Sequence, residues 1–173
     1  KMGYNGLKKS WIFPGQASQF VGMGKDFFDS TDIGKKYYNL ANDILEVDIQ
    51  DISFNGPEEK LKITKFTQPA IFIVSSVISH LLMENGHVPG CVAGHSLGEY
   101  SALTAAGGIS FETGLELVKI RSNSMDKAGM TNPGTMAAII GLNMDSVVKL
   151  ANSIKTNEVI VAANHNTENQ IVI

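Results

Sequence analysis

Ser96 lies between two glycines in the segment GHSLGEYSAL, residues 94–103. A short apolar segment, residues 91–93, precedes it and predicts a buried strand, whereas the residues after it predict a helix. A serine at a sharp strand-to-helix turn needs glycine neighbours, because the backbone is forced to positive φ and flanking side chains would collide. The pattern therefore predicts a nucleophile elbow, with Ser96 exposed beside the positive N-terminal end of a helix.

A serine in this position is suited to attack on an ester or thioester carbonyl. The oxyanion that develops accepts a hydrogen bond from the backbone N–H of Leu97, and one such donor typically lowers the barrier by about 3 kcal/mol. The GxSxG pattern also occurs by chance, so an ordinary structural turn is the alternative. The strand before Ser96 and the helix after it favour the elbow.

Arg121 is the second residue whose type suggests chemistry, since it is the only arginine among 14 basic side chains. Apolar residues at the i−4, i−3 and i+4 positions of its predicted helix indicate that the guanidinium turns inward. A partly desolvated arginine is costly without a carboxylate partner, and its planar fork matches a carboxylate bidentately. That carboxylate belongs either to a substrate or to the protein itself, with Glu99 or Asp126 as internal partners.

A serine nucleophile needs a general base, and the sequence contains four histidines. His95 is adjacent to Ser96, and we expect it to support the turn. His165 follows Ser96 in the order of an α/β-hydrolase triad, with Asp145 or Glu158 as the orienting carboxylate, and is the alternative base. The other two histidines fit packing or surface positions.

The composition excludes several classes of function. A net charge of −3 provides no basic surface for nucleic acid or an anionic membrane, so neither is expected as a partner. The single cysteine, Cys91, cannot form an internal disulfide, and no pair or group of side chains has metal-ligand spacing. The most apolar stretch, residues 70–83, is shorter than a bilayer span and predicts a buried helix. Residues 1–10 lack the apolar centre of a secretory signal.

Strands and helices alternate along most of the chain. Residues 11–13 predict a first strand, and Thr67-Gln68-Pro69 is expected to open the long apolar helix, which Gly86 ends. Further helices are predicted at residues 32–45, 57–61, 97–106 and 111–128. The alternation predicts an α/β fold with a parallel, hydrolase-like sheet flanked by helices.

The breaker-rich residues 129–134 predict a linker, and we place the boundary between domains 1–130 and 131–173 there. Strands at residues 135–141, 159–163 and 170–173, with a helix between Asn143 and Ile154, predict a β-α-β-β order. This order opens a ferredoxin-like fold, which needs a further helix and strand. We therefore expect an incomplete small domain here and a chain that continues beyond residue 173.

Several motifs occur in a characteristic order: FPGQ at residues 13–16, Gln19, TQPA at residues 67–70, the GHSLGEYSAL segment, Arg121 and PGTMAAIIGL at residues 133–142. With them the chain resembles the malonyl-CoA:acyl carrier protein transacylases over nearly its whole length. The resemblance implies a hydrolase-like large domain with an inserted ferredoxin-like small domain. It also implies that malonyl passes from malonyl-CoA to the phosphopantetheine thiol of acyl carrier protein through a malonyl-serine, without a cofactor, in fatty acid biosynthesis.

The resemblance also implies roles for individual residues. Ser96 is the nucleophile, the backbone amides of Gln16 and Leu97 form the oxyanion hole, and Arg121 binds the free carboxylate of the malonyl group. Asn166 matches an asparagine near the active site of the family.

Two further expectations concern histidines. His95 matches a family histidine beside the nucleophile that is not the general base. The catalytic histidine of the family follows the small domain, in a segment that this sequence does not contain. His165 occupies a position that is usually aromatic in the family, which weakens its case as a substitute.

Alternative functions remain open. One is a polyketide-type acyltransferase or thioester hydrolase, which shares the elbow and the oxyanion hole. Another is a noncatalytic fragment that binds carrier protein. We expect a monomer in the bacterial cytoplasm or the plastid stroma.

Overall fold

The computed structural model of the chain describes residues 9–154 and 157–173. They form two compact units, one that ends at Thr131 and one from Asn132 to Ile173. In chain order, the first unit contains β1 (Ser10–Phe13), α1 (Lys25–Ser30), α2 (Asp32–Leu45), α3 (Ile49–Asn55), α4 (Glu58–Leu61), α5 (Thr64–Glu84), β2 (Cys91–Gly94), α6 (Gly98–Ala105) and α7 (Phe111–Thr131).

The two strands of the first unit are parallel. Ser10 pairs with Cys91 at one end of β1 and β2, and Phe13 pairs with Gly94 at the other. The loop after β1 and the turn after β2 therefore leave the sheet at the same edge. The predicted α/β class with a parallel sheet flanked by helices is confirmed.

Helix α5 forms the centre of the core and packs against α2, α6 and α7. The ring of Phe72 is fully buried and stacks on Phe111 with centroids 5.6 Å apart. Phe111 in turn stacks on Tyr37 at 3.9 Å. By length and composition alone α5 is apolar enough to cross a membrane, but 61% of its most apolar 18-residue stretch is buried in the structure. Core packing therefore accounts for its apolar composition.

The predicted start of this helix is wrong. The helix begins at Thr64, and Pro69 lies inside it. Thr67 is not its cap, because the Thr67 hydroxyl shares its one hydrogen between the carbonyl oxygens of Leu61 (2.5 Å) and Ile63 (3.1 Å). Pro69 costs the helix one backbone hydrogen bond near its N-terminal end, where the tertiary packing tolerates the loss.

Other predicted boundaries also change. Helix α2 has the predicted bounds, whereas the short helices α1 and α3 were not predicted. Helix α7 continues through residues 129–131, which the sequence assigns to a linker. Of the predicted linker, residues 129–131 therefore end helix α7, and residues 132–134 belong to the second unit.

The second unit contains β3 (Ala138–Ile140), α8 (Met144–Ser153), β4 (Asn164–Thr167) and β5 (Gln170–Val172). Strand β5 lies between β3 and β4 and is antiparallel to both. Two parallel strands separated by an antiparallel one, with a helix between them in sequence, form the split βαβ arrangement of the ferredoxin-like fold.

The predicted strand at residues 159–163 is wrong, since β4 begins at Asn164. The side chains that suggested it are exposed: Val159 is 87% accessible and Val161 is 55% accessible. The pairing of β4 instead follows its register with β5, in which His165 faces the fully buried Ile171. An apolar segment without a hydrogen-bonded neighbouring strand does not define a strand.

We expect Phe72→Ala to lower the free energy of unfolding by about 3–5 kcal/mol, because it removes a fully buried aromatic ring and leaves a cavity. Urea denaturation followed by circular dichroism measures the change. Phe72→Leu retains most of the apolar volume and serves as the graded control, with a smaller loss expected. Equal losses in the two variants would contradict the cavity explanation.

Candidate active site

Ser96 occupies a sharp turn between β2 and α6. Its φ of 53° lies in the left-handed region, which few residues other than glycine adopt. Glycines stand on both sides because the backbone is crowded there: a Cβ atom on Gly94 would overlap the backbone of Gly98, and one on Gly98 would overlap the carbonyl oxygen of Phe13. The close approach of both strands to the start of α6 thus explains why positions 94 and 98 are glycines. The side chain of Ser96 is exposed.

Backbone hydrogen bonds close this turn. The N–H of Gly98 donates to the carbonyl oxygen of His95 at 2.9 Å, and the N–H of Glu99 donates to that of Ser96 at 3.2 Å. The side chain of Leu97 is fully buried, which anchors the turn in the core. The N–H of Leu97 donates to no other group in the described part of the chain, so it is available to a ligand beside Ser96.

The loop after β1 packs against the same turn. The N–H of His95 donates to the carbonyl oxygen of Phe13 at 3.0 Å. A Cβ atom on the buried Gly15 would lie 2.7 Å from the carbonyl oxygen of His95 and 2.9 Å from its ring Nδ1. Only glycine therefore allows the segment before Gln16 to approach the turn this closely.

Gln16 is the residue after Gly15 in the loop that follows β1. Its side-chain Nε2 donates to the Thr64 hydroxyl at 3.2 Å, which ties the loop to the start of α5. The adjacent residue, Ala17, has a φ of 83°, and its N–H donates to the side-chain oxygen of Gln19 at 2.8 Å. Among residues 9–154 and 157–173, no acceptor bonds the backbone N–H of Gln16. The loop thus contains an amide with no described acceptor at the same edge of the sheet as Ser96.

Arg121 reaches the serine from α7. Its Nη2 donates to Ser96 Oγ at 2.8 Å, and its Nη1 donates to Gln68 Oε1 at 2.6 Å. The guanidinium carbon lies 5.9 Å from the centre of the Tyr100 ring, within cation–π range. The structure therefore brings the two residues singled out from the sequence into direct contact.

The alternative that Arg121 pairs with Glu99 or Asp126 is wrong. Neither Glu99 nor Asp126 forms an ion pair with it, and none of the ion pairs among the described residues includes Arg121. Its two described hydrogen-bond partners are a neutral amide and a hydroxyl. The positive charge beside Ser96 is thus not neutralised by a carboxylate of these residues, and an anionic ligand finds it available.

Gln68 is the site residue that sequence reasoning missed, because it was taken as part of a helix start and of the TQPA motif, with no role at the site. Its side chain is 1% exposed, although it lies on the most apolar helix of the chain. A long polar side chain in an apolar helix is the signal that points to it, since burial of an amide requires hydrogen-bond partners. The pairing with Arg121 itself is visible only in the tertiary structure.

The remaining candidates lie apart from this cluster or in the other unit. His80 lies near the C-terminal end of α5 and bonds to Tyr37 of α2 and to Glu84. Asn166 and His165 belong to the second unit, where Asn166 Nδ2 donates to Gln170 Oε1 at 3.2 Å. The roles proposed for them stay predictions. Within the described residues, no group of three or more metal-ligating side chains is found.

The parallel strands, the serine at positive φ and the helix that follows it define the class of this protein: an α/β protein with a nucleophile elbow. The family model described as an acyl transferase domain matches residues 10–173. The chain therefore belongs to the acyl transferase family.

The chain is also similar to individual proteins of known name. The chain is 42% identical over 167 residues to the malonyl CoA-acyl carrier protein transacylase of Synechocystis, a match that covers 96% of this chain and 54% of the relative. The crystal structure of a Synechocystis transacylase of this name superposes with a TM-score of 0.85 at 42% identity, over 96% of this chain and 54% of that one.

A further structure is described as a type II PKS acyl-carrier protein in complex with its malonyl-transacylase. It superposes with a TM-score of 0.86 at 35% identity, over 96% of this chain and 54% of that one. The chain thus spans about half the length of the relatives that it matches.

We expect Gly98→Ala to disrupt the elbow, because the new methyl group would overlap the carbonyl oxygen of Phe13 and lie 2.9 Å from that of Pro14. A lower melting temperature and loss of Ser96 reactivity toward an activated ester, such as p-nitrophenyl acetate, are the expected results.

Gly129→Ala is the matched control, since a Cβ atom there meets nothing within 4 Å and the residue lies in a helix. The control is expected to be neutral or stabilising by up to about 1 kcal/mol. Wild-type stability and reactivity in Gly98→Ala would contradict this account of the elbow.

Proposed function

We propose that the protein transfers a malonyl group from malonyl-CoA to the phosphopantetheine thiol of acyl carrier protein, through a malonyl-serine at Ser96, in fatty acid biosynthesis. The observation that carries the proposal is the 2.8 Å contact between Arg121 Nη2 and Ser96 Oγ. In a malonyl thioester one methylene group separates the carboxylate from the carbonyl. A guanidinium this close to the nucleophile therefore suits an acyl group whose own negative charge lies beside the carbonyl under attack.

The first half of the reaction forms the acyl-enzyme. Ser96 Oγ attacks the thioester carbonyl, its proton passes to a general base, and the bond between carbon and sulfur breaks as CoA leaves and takes up a proton. The available amides of Leu97 and Gln16 are the proposed donors to the oxyanion. Because the two amides belong to the elbow and to the loop packed against it, they are held in place before substrate binds.

The second half reverses these steps with another thiol. The phosphopantetheine sulfur attacks the ester carbonyl, the ester bond breaks, and Ser96 regains a proton. Arg121 holds the malonyl carboxylate throughout, so the acyl group keeps its orientation while the leaving and entering thiols exchange. This chemistry needs no cofactor besides the CoA and phosphopantetheine carriers.

The general base is proposed from the family resemblance, which implies a catalytic histidine other than His95. His95 is assigned to support of the turn, because its backbone and ring contact the loop after β1. Asn166 is proposed to contribute from the small domain. We also propose that residues 1–130 carry the elbow within a large hydrolase-like domain and that residues 131–173 begin the small domain.

A carrier protein of polyketide synthesis is the alternative acceptor, favoured by the relative whose structure contains such a partner. Comparison of fatty-acid and polyketide carrier proteins as second substrates distinguishes the two. We propose that the protein is a monomer of the bacterial cytoplasm or the plastid stroma.

Malonyl-CoA is expected to add one malonyl group to the product of the complete gene, and Ser96→Ala is expected to abolish the adduct. Intact-mass spectrometry before and after a brief exposure measures it. Ser101→Ala is the matched control, because Ser101 lies on α6 immediately after the elbow and its hydroxyl is buried. An adduct that persists in Ser96→Ala, or none in the wild type, would refute the proposed nucleophile.

Arg121→Ala is expected to lower the rate of acylation by malonyl-CoA about ten- to hundredfold relative to acetyl-CoA, since a hydrogen bond to a charged group contributes about 1.5–3 kcal/mol. Stopped-flow or quench measurements of Ser96 acylation supply the two rates. Lys127→Ala removes an exposed positive charge from the same helix and should leave the ratio unchanged. An equal decrease in the acylation rates with both thioesters would show that Arg121 does not bind the malonyl carboxylate.

A further inference from the structure

Gln68 is a buried amide held between two side chains of α7. Its Oε1 accepts a hydrogen bond from Arg121 Nη1 at 2.6 Å, and its Nε2 lies 3.3 Å from the sulfur of Met125. A thioether is a weak acceptor, so the bond to Arg121 is the strong one. A guanidinium has only donors, and this fact alone requires the amide oxygen, rather than the nitrogen, to face Arg121.

The contact with Gln68 restricts Arg121. An arginine side chain has considerable rotamer freedom, and its loss opposes any fixed position of the guanidinium. One Nη group is anchored on Gln68, in the core, and the other reaches Ser96 Oγ at 2.8 Å. The anchor thus fixes the plane of the guanidinium next to the nucleophile, where the carboxylate of a malonyl group is proposed to bind.

An amide suits this anchor better than a carboxylate does. A glutamate at position 68 would form a buried ion pair with Arg121, and the paired guanidinium would attract a substrate carboxylate much less. A neutral acceptor orients the guanidinium and leaves its positive charge available. An apolar residue would preserve the charge but leave the Nη1 donor without this partner.

From this geometry we infer that Gln68 is a positioning residue that orients Arg121 and thereby sets the preference for a dicarboxylic acyl group. The inference rests on the proposed function, since it concerns how the same site selects its acyl group. Gln68 acts through Arg121 and does not itself touch the reacting atoms.

The test compares acylation of Ser96 by malonyl-CoA and acetyl-CoA in Gln68→Glu and Gln68→Met, with the product of the complete gene. In both variants the malonyl-to-acetyl ratio of rates should fall about tenfold or more, with acetyl acylation within about threefold of wild type. For Gln68→Met the change should appear mainly as a higher KM for malonyl-CoA. In an Arg121→Ala background, neither substitution should change the ratio further.

Ser76→Ala is the matched control. Ser76 is buried on the same helix, and its hydroxyl has no hydrogen-bond partner within the described residues. Its ratio should equal that of the wild type. Because both thioesters are assayed on one sample, a smaller folded fraction lowers both rates alike and leaves the ratio unaffected.

A ratio within twofold of wild type in both Gln68 variants overturns the inference, and so does an equal decrease for the two thioesters. The proposed function is refuted if the wild-type protein gains no malonyl group at Ser96. The inference about Gln68 is then refuted as well, because it rests on that function. If the wild type prefers malonyl-CoA and the Gln68 variants keep this preference, only the role of Gln68 is rejected, and the proposed function stands.

Discussion

The site depends on the close approach of β1 to the start of α6. The end of β1 contacts Gly98 so closely that a single added methyl group would overlap the carbonyl oxygen of Phe13. This contact sets the position of the elbow in the sheet, and the positive φ of Ser96 follows from the tight reversal between β2 and α6. It also brings the loop after β1, with the free amide of Gln16, to the same edge of the sheet as Ser96.

The long helices α5 and α7 complete the site from the other side. Their packing forms the core and places Gln68 and Arg121 in contact, so the guanidinium reaches the serine from within the protein. Burial raises the energetic cost of each polar group, and for Gln68 and Arg121 that cost is met by specific hydrogen bonds. The same packing that stabilises the fold therefore orients the positive charge at the site.

Elements with strong local signals were predicted well, and elements defined by their neighbours were not. The bounds of α2 follow from its Thr31 cap and its amphipathic pattern, and residues 32–45 agree with the structure. Helix α5 begins earlier than predicted, and Thr67 lies inside it with its hydroxyl bonded to Leu61 at the end of α4, a contact between elements that no local pattern reveals. Strand β4 was misplaced because its register with β5, rather than its own apolar alternation, determines where it pairs.

The sequence by itself determined the strand-to-helix turn at Ser96 and the α/β class, because glycine spacing and apolar periodicity are local consequences of backbone geometry. It also singled out Arg121 as a candidate site residue, since it is the single arginine of the sequence. Only the tertiary structure decided the partner of Arg121. The sequence offered Glu99 and Asp126 as internal partners, but the partner depends on which side chains α5 and α7 bring together. Helix α5 contributes Gln68, which is 53 positions away along the chain. Contacts at such separations arise from packing between helices, which residue order alone does not specify.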